Sequence, residues 1–458
     1  MSQFAVGLRF EDLPAAVVHE VKRRVVDSLG CALGAWHAEP CVIARNVAAR
    51  NPAARSGATL LGTQSRVPVD WAAFANGCLV RYLDYNDTYL SREPAHPSDN
   101  VPAALAVAEL EQAGSREFIV AIALAYEIQC RLCDAASIRA RGWDHVTYGA
   151  FSTALAAARL MRLDADRARH AVGIAGVASA ALRQSRVGEL SHWKGCAFAN
   201  AARHGVFAAL LAGAGMTGPA PIFEGEKGFA KLVSGPLDGF KLPAVGETRA
   251  DDFMIMKTSI KFWPAEYHSQ SAIEAALKLR KRFKNVAQIE SVQVESHDAA
   301  VDIIGSEPAK WRPTNRETAD HSLPYIVAAA LADGELTANQ FEPGRIADPD
   351  LLALVQRVAV KRHAELSARY PDAVGNIVTL RLSDGRVLSE RVDYPRGHAR
   401  NPLADAEVEA KFRNLAEPVL GQARAEAALR RLWQLEKDQP VAGLLPLIEV
   451  LPMKHRSD

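Results

Sequence analysis

The sequence predicts a mainly α protein: a large all-α helical unit built from both chain ends, with a smaller α+β unit inserted between them. Three observations carry this reading. From residue 12 to about 213 the chain runs helix after helix with almost no alternating pattern. Beyond about residue 258 short β-rich runs appear among the helices. After Asn401-Pro402-Leu403, an Asp405 cap opens further helix that lasts to about residue 437. The units are therefore drawn as 1–258, 259–400 and 401–458, the last returning to the first.

In chain order, Val17, Val18, Val21, Val25 and Leu29 recur at helical spacing within residues 12–35, with charges between them. Further helices are expected at about 40–50, 69–82, 101–113, 116–136, 149–162, 165–182 and 195–213, punctuated by glycine, proline and capping residues. Ser98 or Asp99 is expected to cap the helix that contains Pro102, since proline suits a first turn. The Gly/Pro-rich stretch from Gly213 to Pro243 reads as an ordered surface excursion near a site. Strands are expected at Ile289-Glu-Ser-Val-Gln-Val-Glu and Arg357-Val-Ala-Val. Asn376-Ile-Val-Thr-Leu-Arg-Leu and Arg386-Val-Leu-Ser-Glu-Arg-Val form a hairpin around Asp384-Gly385. Helices at 268–284 and 324–332 accompany these strands.

The 458 residues are 49% hydrophobic and 23% charged, which suffices for a large core and two domains. A net charge of +1 offers no basic patch for nucleic acid. Neither a secretory signal nor an apolar run of the ~20 residues that span a bilayer is present, so a soluble cytoplasmic protein with no membrane partner is expected. Cys31, Cys41, Cys78, Cys130, Cys133 and Cys196 all fall in the first half. Cys130 and Cys133 have metal-ligand spacing but lie late in a helical run, and no second close Cys/His pair completes a zinc set. Buried reduced thiols are the expectation.

Five segments share one layout, a histidine or lysine, then a capping hydroxyl or small breaker, then an Ala-rich helix. They are Arg81-Tyr-Leu-Asp84-Tyr-Asn86-Asp87-Thr88 continuing to His96-Pro97-Ser98-Asp99-Asn100; Trp143-Asp144-His145-Val-Thr147; and Arg183-Gln-Ser185-Arg186 continuing to Ser191-His192-Trp193-Lys194. The last two are Lys261-Phe-Trp-Pro264-Ala-Glu266-Tyr267-His268 and Asp320-His321-Ser322-Leu-Pro324-Tyr325. Basic groups placed repeatedly before helix starts, where free N–H groups favour negative charge, point to a pocket for a multiply negative small molecule. Arg183, Arg186, Lys194 and Lys261 are candidates to meet carboxylates, and the histidines with Tyr325 to move protons. Phosphate-binding loops, Gly-x-Ser-x-Gly elbows, dinucleotide fingerprints and His-Glu-x-x-His are absent. Metal-free acid–base chemistry on a polycarboxylate remains. Proton removal beside a carboxylate builds an enolate-like charge that needs nearby cations, and hydroxide departure needs an acid.

At these segments, and at Gly215-Met-Thr-Gly-Pro-Ala-Pro and Tyr394-Pro-Arg-Gly-His, the chain resembles the MmgE/PrpD family nearly end to end. The resemblance implies an all-α domain, an inserted α+β lid domain, a homodimer, and a site between the domains with no metal, iron–sulfur cluster or other cofactor. It implies a hydro-lyase acting on the tricarboxylate 2-methylcitrate, possible also with citrate, in propionate breakdown. Family alternatives are decarboxylation of cis-aconitate and epimerisation of an amino-dicarboxylate. Asn86 followed by Asp87-Thr88-Tyr-Leu looks more like the dehydratase branch. Carried over from the family motif are Asp84, Thr88, His96, His145, Lys194, His268 and Tyr325. In that reading His96 or His145 abstracts the proton, the other or Tyr325 protonates the departing hydroxyl, Asp84 orients a histidine, and Thr88 bonds substrate.

Overall fold

The computed structural model describes residues 1–53, 56–246 and 249–451. It is mainly α. The helices of the first half are Ala15–Gly34, Glu39–Ala49, Val69–Tyr82, Val101–Leu110, Ser115–Ala135, Thr147–Leu160, Ala165–Ala178 and Trp193–Gly213. Val101–Leu110 is apolar nearly all round, and both it and Ser115–Ala135 are buried along most of their length, as expected of helices at the centre of a bundle. One apolar core gathers these helices and takes in Leu403, Phe412, Leu429 and Ile448 from the C-terminal end. The returning helix Asp405–Leu420 lies against Ala15–Gly34 so closely that a Cβ on Gly30 would stand 3.2 Å from the Phe412 Cα. Glycine lets the two backbones approach.

A second apolar core lies among residues Trp263 to Val392. It is built on a four-stranded sheet in the order Val358–Arg362, Ile289–Ser296, Asn376–Leu382, Val387–Val392. The first pair is parallel and the other two antiparallel. Helices Gln270–Arg280 and Leu323–Asp333 pack on the sheet. The hairpin turns at Asp384-Gly385, with Gly385 in the left-handed region at φ 84°. Between the two cores runs a short antiparallel ladder, Asp87 opposite Ile260 and Thr88 opposite Ser259. It brings the Asp84–Asn100 segment onto the segment that carries Lys261.

One local expectation is corrected. Neither Ser98 nor Asp99 caps the helix at Val101, because a 3-10 turn, Pro97–Asn100, precedes it and puts Asn100 at the cap position without a side-chain cap bond. Ser98 Oγ instead accepts from the Asn86 amide, at 2.9 Å. The Gly213–Pro243 excursion packs Phe223 and Phe229 on Phe151 of the helical bundle, and none of its described residues lines the cavity described below. All six cysteines are free and buried. Among the described residues no helix is long and apolar enough to cross a membrane.

Candidate active site

The ladder between the cores sits beside a cavity whose wall includes Thr88, His96, His145, Arg183, Arg186 and His268. Behind that wall lies a buried charge cluster centred on Asp84, which is 1% exposed and holds φ at +51°. A left-handed aspartate is uncommon, though Asp and Asn tolerate it better than most residues. Its carboxylate receives Lys261 Nζ at 2.7 Å, with Lys194 Nζ at 3.5 Å, and Arg81 closes the pair from the preceding turn. Lys261 Nζ also donates to the Asp84 carbonyl at 2.9 Å. Lys194 donates to Asp320 at 2.9 Å. Burial by itself raises the Asp84 carboxyl, but Arg81, Lys261 and Lys194 together hold it well below the ordinary carboxylate range. Lys411, from the returning helix, fixes the two loops from below by donating to the carbonyls of Tyr85 at 2.6 Å and Lys261 at 2.9 Å.

Four imidazoles meet the cavity, those of His96, His145, His268 and His321. His96 Nδ1 lies 2.7 Å from the Asp87 carbonyl oxygen, which can only accept, so Nδ1 carries the proton and neutral His96 keeps its lone pair on Nε2. Burial, then Arg81 and Lys261, hold its pKa well below 6.5. His145 Nδ1 stands 3.0 Å from Asp144, and its Nε2 is buried with no hydrogen-bond partner among the described residues. Asp144 is itself held by Ser185 Oγ at 2.5 Å and Arg186 Nε at 3.0 Å. His321 repeats the arrangement, with Nδ1 at 2.7 Å from Asp320. His96 and His145 face each other edge-on at 5.8 Å between ring centroids. Burial lowers His145 and His321, and the neighbouring carboxylates pull back the other way.

The cavity is lined by cations on both sides. Arg139, Arg183 and Arg186 come from the helical half, and Lys310, 2% exposed, from the 3-10 turn Pro308–Trp311. Arg139 and Arg183 make no side-chain ion pair within 4 Å among the described residues. Glu93 accepts from Ser137 Oγ and from the Arg139 N–H, which fixes the turn that presents Arg139. Among the described residues the Lys310 ammonium has only Glu307, at 3.7 Å, as a carboxylate partner, and burial lowers its pKa. An oxyanion entering this space meets uncommitted positive charge and neutral imidazole lone pairs.

Among the sequence-predicted residues, then, Thr88, His96, His145, Arg183, Arg186 and His268 share the cavity wall. Asp84, Lys194 and Lys261 form the cluster behind it rather than reaching into the space. Tyr325 lies apart from them. It follows the Ser322 cap into the second core, its hydroxyl donates to the Gln340 carbonyl at 2.5 Å, and it does not line the cavity. Arg139 and Lys310 line it from outside the five segments, and Arg81, Glu266 and His321 line it from within them, though no role was assigned to these three by number. For His321 a signal was present. Asp144-His145 and Asp320-His321 are the same dipeptide, and in both the carboxylate backs the adjoining imidazole. Asp84, Asp320 and His321 also offer three ligand atoms within 4.8 Å of one another, but the ammonium groups of Lys194 and Lys261 already stand against those oxygens.

Comparison with known proteins follows the same two halves. Residues 1–239 match the MmgE/PrpD N-terminal domain and residues 263–435 the MmgE/PrpD C-terminal domain. The chain belongs to the MmgE/PrpD family. Within the family it is 30% identical to a 2-methylcitrate dehydratase of Cupriavidus necator, over 97% of this chain and 94% of that protein. It is 31% identical to a 2-methylcitrate dehydratase of Salmonella typhimurium, over 82% and 81%. A cis-aconitate decarboxylase-like protein of Aspergillus oryzae is 26% identical over 98% and 96%.

Proposed function

We propose that this MmgE/PrpD protein is a hydro-lyase that dehydrates 2-methylcitrate to 2-methyl-aconitate in propionate breakdown, without a metal or organic cofactor. The observation that carries the reading is one cavity holding neutral imidazoles amid cations, of which Arg139 and Arg183 have no ion-pair partner among the described residues. Arg139, Arg183, Arg186 and Lys310 face the three carboxylates, and Thr88 offers a hydroxyl between them. His145 is the base. Its Nδ1–H stays on Asp144, Nε2 takes the proton from the carbon beside a carboxylate, and Asp144 stabilises the imidazolium that forms. The cationic wall meets the enolate-like charge. The names of the bacterial relatives agree with this chemistry.

Mixing chelator-treated protein with 2-methylcitrate and, separately, with citrate tests the reading by the ultraviolet absorbance of a conjugated alkene carboxylate. A rise with 2-methylcitrate that survives the chelator is expected. No rise with either substrate, together with carbon dioxide released from cis-aconitate, would replace dehydration by decarboxylation.

In the same reading residues 259–400 form a lid domain over the helical domain 1–258 and 401–458, which closes the cavity from above, and the protein works as a cytoplasmic homodimer. Val177, Leu182, Trp193 and Phe207 support the dimer, since these large apolar side chains are 65%, 66%, 47% and 49% exposed. Leu182 and Trp193 adjoin Arg183 and Lys194 in sequence, so a partner covering this face would steady the segments that carry those cations. Phe207→Glu is expected to weaken self-association by about 2 kcal/mol or more, roughly thirtyfold. Sedimentation of the variant across a concentration series reads this, and an unchanged association state would remove this face from the interface.

A further inference from the structure

The cavity wall contains one carboxyl group. Among the described residues only Glu266 brings an acid to a wall whose other charged or basic groups are arginines, a lysine and histidines. Its bland role is visible and incomplete. Oε2 accepts the N–H of His268 at 2.7 Å and so caps the turn Tyr267–Ser269. That cap needs one oxygen. Oε1 lies 3.8 Å from His268 Nε2, and the side chain keeps 12% of its surface open. The Glu266 backbone N–H donates to the Asp320 carbonyl at 2.9 Å, which ties the group to the Asp320–His321 pair on the same wall. A carboxylate at this place would repel a tricarboxylate. A carboxylic acid there would instead donate to the one group of the substrate that is not an anion, its hydroxyl.

We propose that Glu266 is the general acid of the dehydration, protonating the hydroxyl as it leaves. The assignment rests on the dehydratase reading above and supplies the proton that reading leaves without a donor. The step balances as follows. His145 Nε2 takes the proton from the carbon bearing the methyl group, and that electron pair becomes the new carbon–carbon π bond. The neighbouring C–O bond breaks with its pair on oxygen, and the Glu266 carboxyl gives its proton to that oxygen. One water leaves. The enzyme is left with imidazolium and carboxylate, and passage of the proton from the first to the second through solvent restores the resting pair. The surroundings favour the protonated form more than they would for a free glutamate. Burial raises the Glu266 pKa and Asp84 adds to this, against His321, Lys261 and the His268 N–H.

The test compares wild-type and Glu266→Gln protein on 2-methylcitrate, on the analogue with fluorine in place of the hydroxyl, and for binding of tricarballylate, which has three carboxylates and no hydroxyl. Glutamine keeps the cap oxygen and loses only the proton. Loss of general-acid help is expected to slow dehydration about 10²–10⁴-fold. Fluoride elimination should stay within a few-fold of wild type, since fluoride leaves without full protonation, and tricarballylate should bind as before. A dehydration rate within threefold of wild type overturns the proposal. So does an equal loss on the fluoro substrate, or a loss of tricarballylate binding, since either makes Glu266 something other than a proton donor to the hydroxyl. Should Glu266→Gln not fold, Glu266→Asp decides: it keeps an acid on a shorter arm, and a rate on the fluoro substrate that exceeds its rate on 2-methylcitrate supports the assignment, while equal losses overturn it. A wild-type protein inactive on 2-methylcitrate would instead defeat the dehydratase reading itself.

Discussion

Asp144→Asn is expected to cut turnover of 2-methylcitrate by about 10²–10⁴-fold while leaving the protein folded. Asp144 accepts from three side chains at once, His145 Nδ1, Ser185 Oγ and Arg186 Nε. Burial alone raises its carboxyl, but Arg186 and His145 hold it well below the ordinary range, so it is a carboxylate at working pH. An asparagine can turn its NH2 toward Nδ1, which moves the imidazole proton to Nε2 and removes the lone pair that the reaction needs. The imidazolium formed in the reaction also loses its counter-charge. The pH profile separates this from a structural effect. Asp144 raises the His145 pKa against the lowering by burial, so the variant's residual activity should keep its acid limb at lower pH than wild type. Asp144→Glu should recover part of the rate. An Asp144→Asn protein with kcat within threefold of wild type, or with an unmoved acid limb, would take His145 out of the base's role.

The helices and the hairpin were legible because each rests on a local cause. Val17 to Leu29 at helical spacing became one face of Ala15–Gly34, and Asp384-Gly385 became the turn whose glycine needs a positive φ. The histidines were legible for a related reason, since each sits just before a helix or turn that fixes its backbone. What the lysines do was not legible. Lys194 and Lys261 look, in sequence, like Arg183 and Arg186, and all four were expected on substrate. Whether a cation reaches a cavity or is spent behind it depends on where a carboxylate lies in space. Here Asp84 reaches both lysines only because its own backbone is left-handed and because Asp87 and Thr88 pair with Ile260 and Ser259. Arg139 and Lys310 carried no sequence signal for the converse reason. Each sits in a short 3-10 turn with no pattern around it, and only the approach of the two cores turns them toward one space. Tyr325 shows the limit of a motif, because a helix cap sent its ring into the core and Gln340 took its hydroxyl.

Asp84→Asn should be the most destabilising conservative change at the site, by about 3–5 kcal/mol, because it removes the shared partner of buried cations rather than one contact. Arg81, Lys194 and Lys261 are 3%, 1% and 1% exposed. Lys194 would keep Asp320, at 2.9 Å, but Lys261 would be left with carbonyl oxygen as its nearest acceptor. Asparagine is the informative replacement because it accepts the left-handed backbone at position 84 as readily as aspartate, so the loss reports charge and not strain. The pH dependence gives the sign. A carboxyl held below its unfolded value of about 3.9 contributes its full stability above that value and loses it as pH falls toward the folded value. Urea denaturation should therefore show the widest gap between wild type and variant near neutrality, closing as the solution is acidified below about pH 4. Turnover should fall as well, since the Lys261 ammonium, left without a carboxylate, is free to swing into the cavity and neutralise the carboxylates that Arg139, Arg183 and Lys310 are placed to hold. A variant as stable as wild type at neutral pH would mean that the cations behind the wall are not organised by Asp84, and that the cluster's charge is balanced by Asp320 alone.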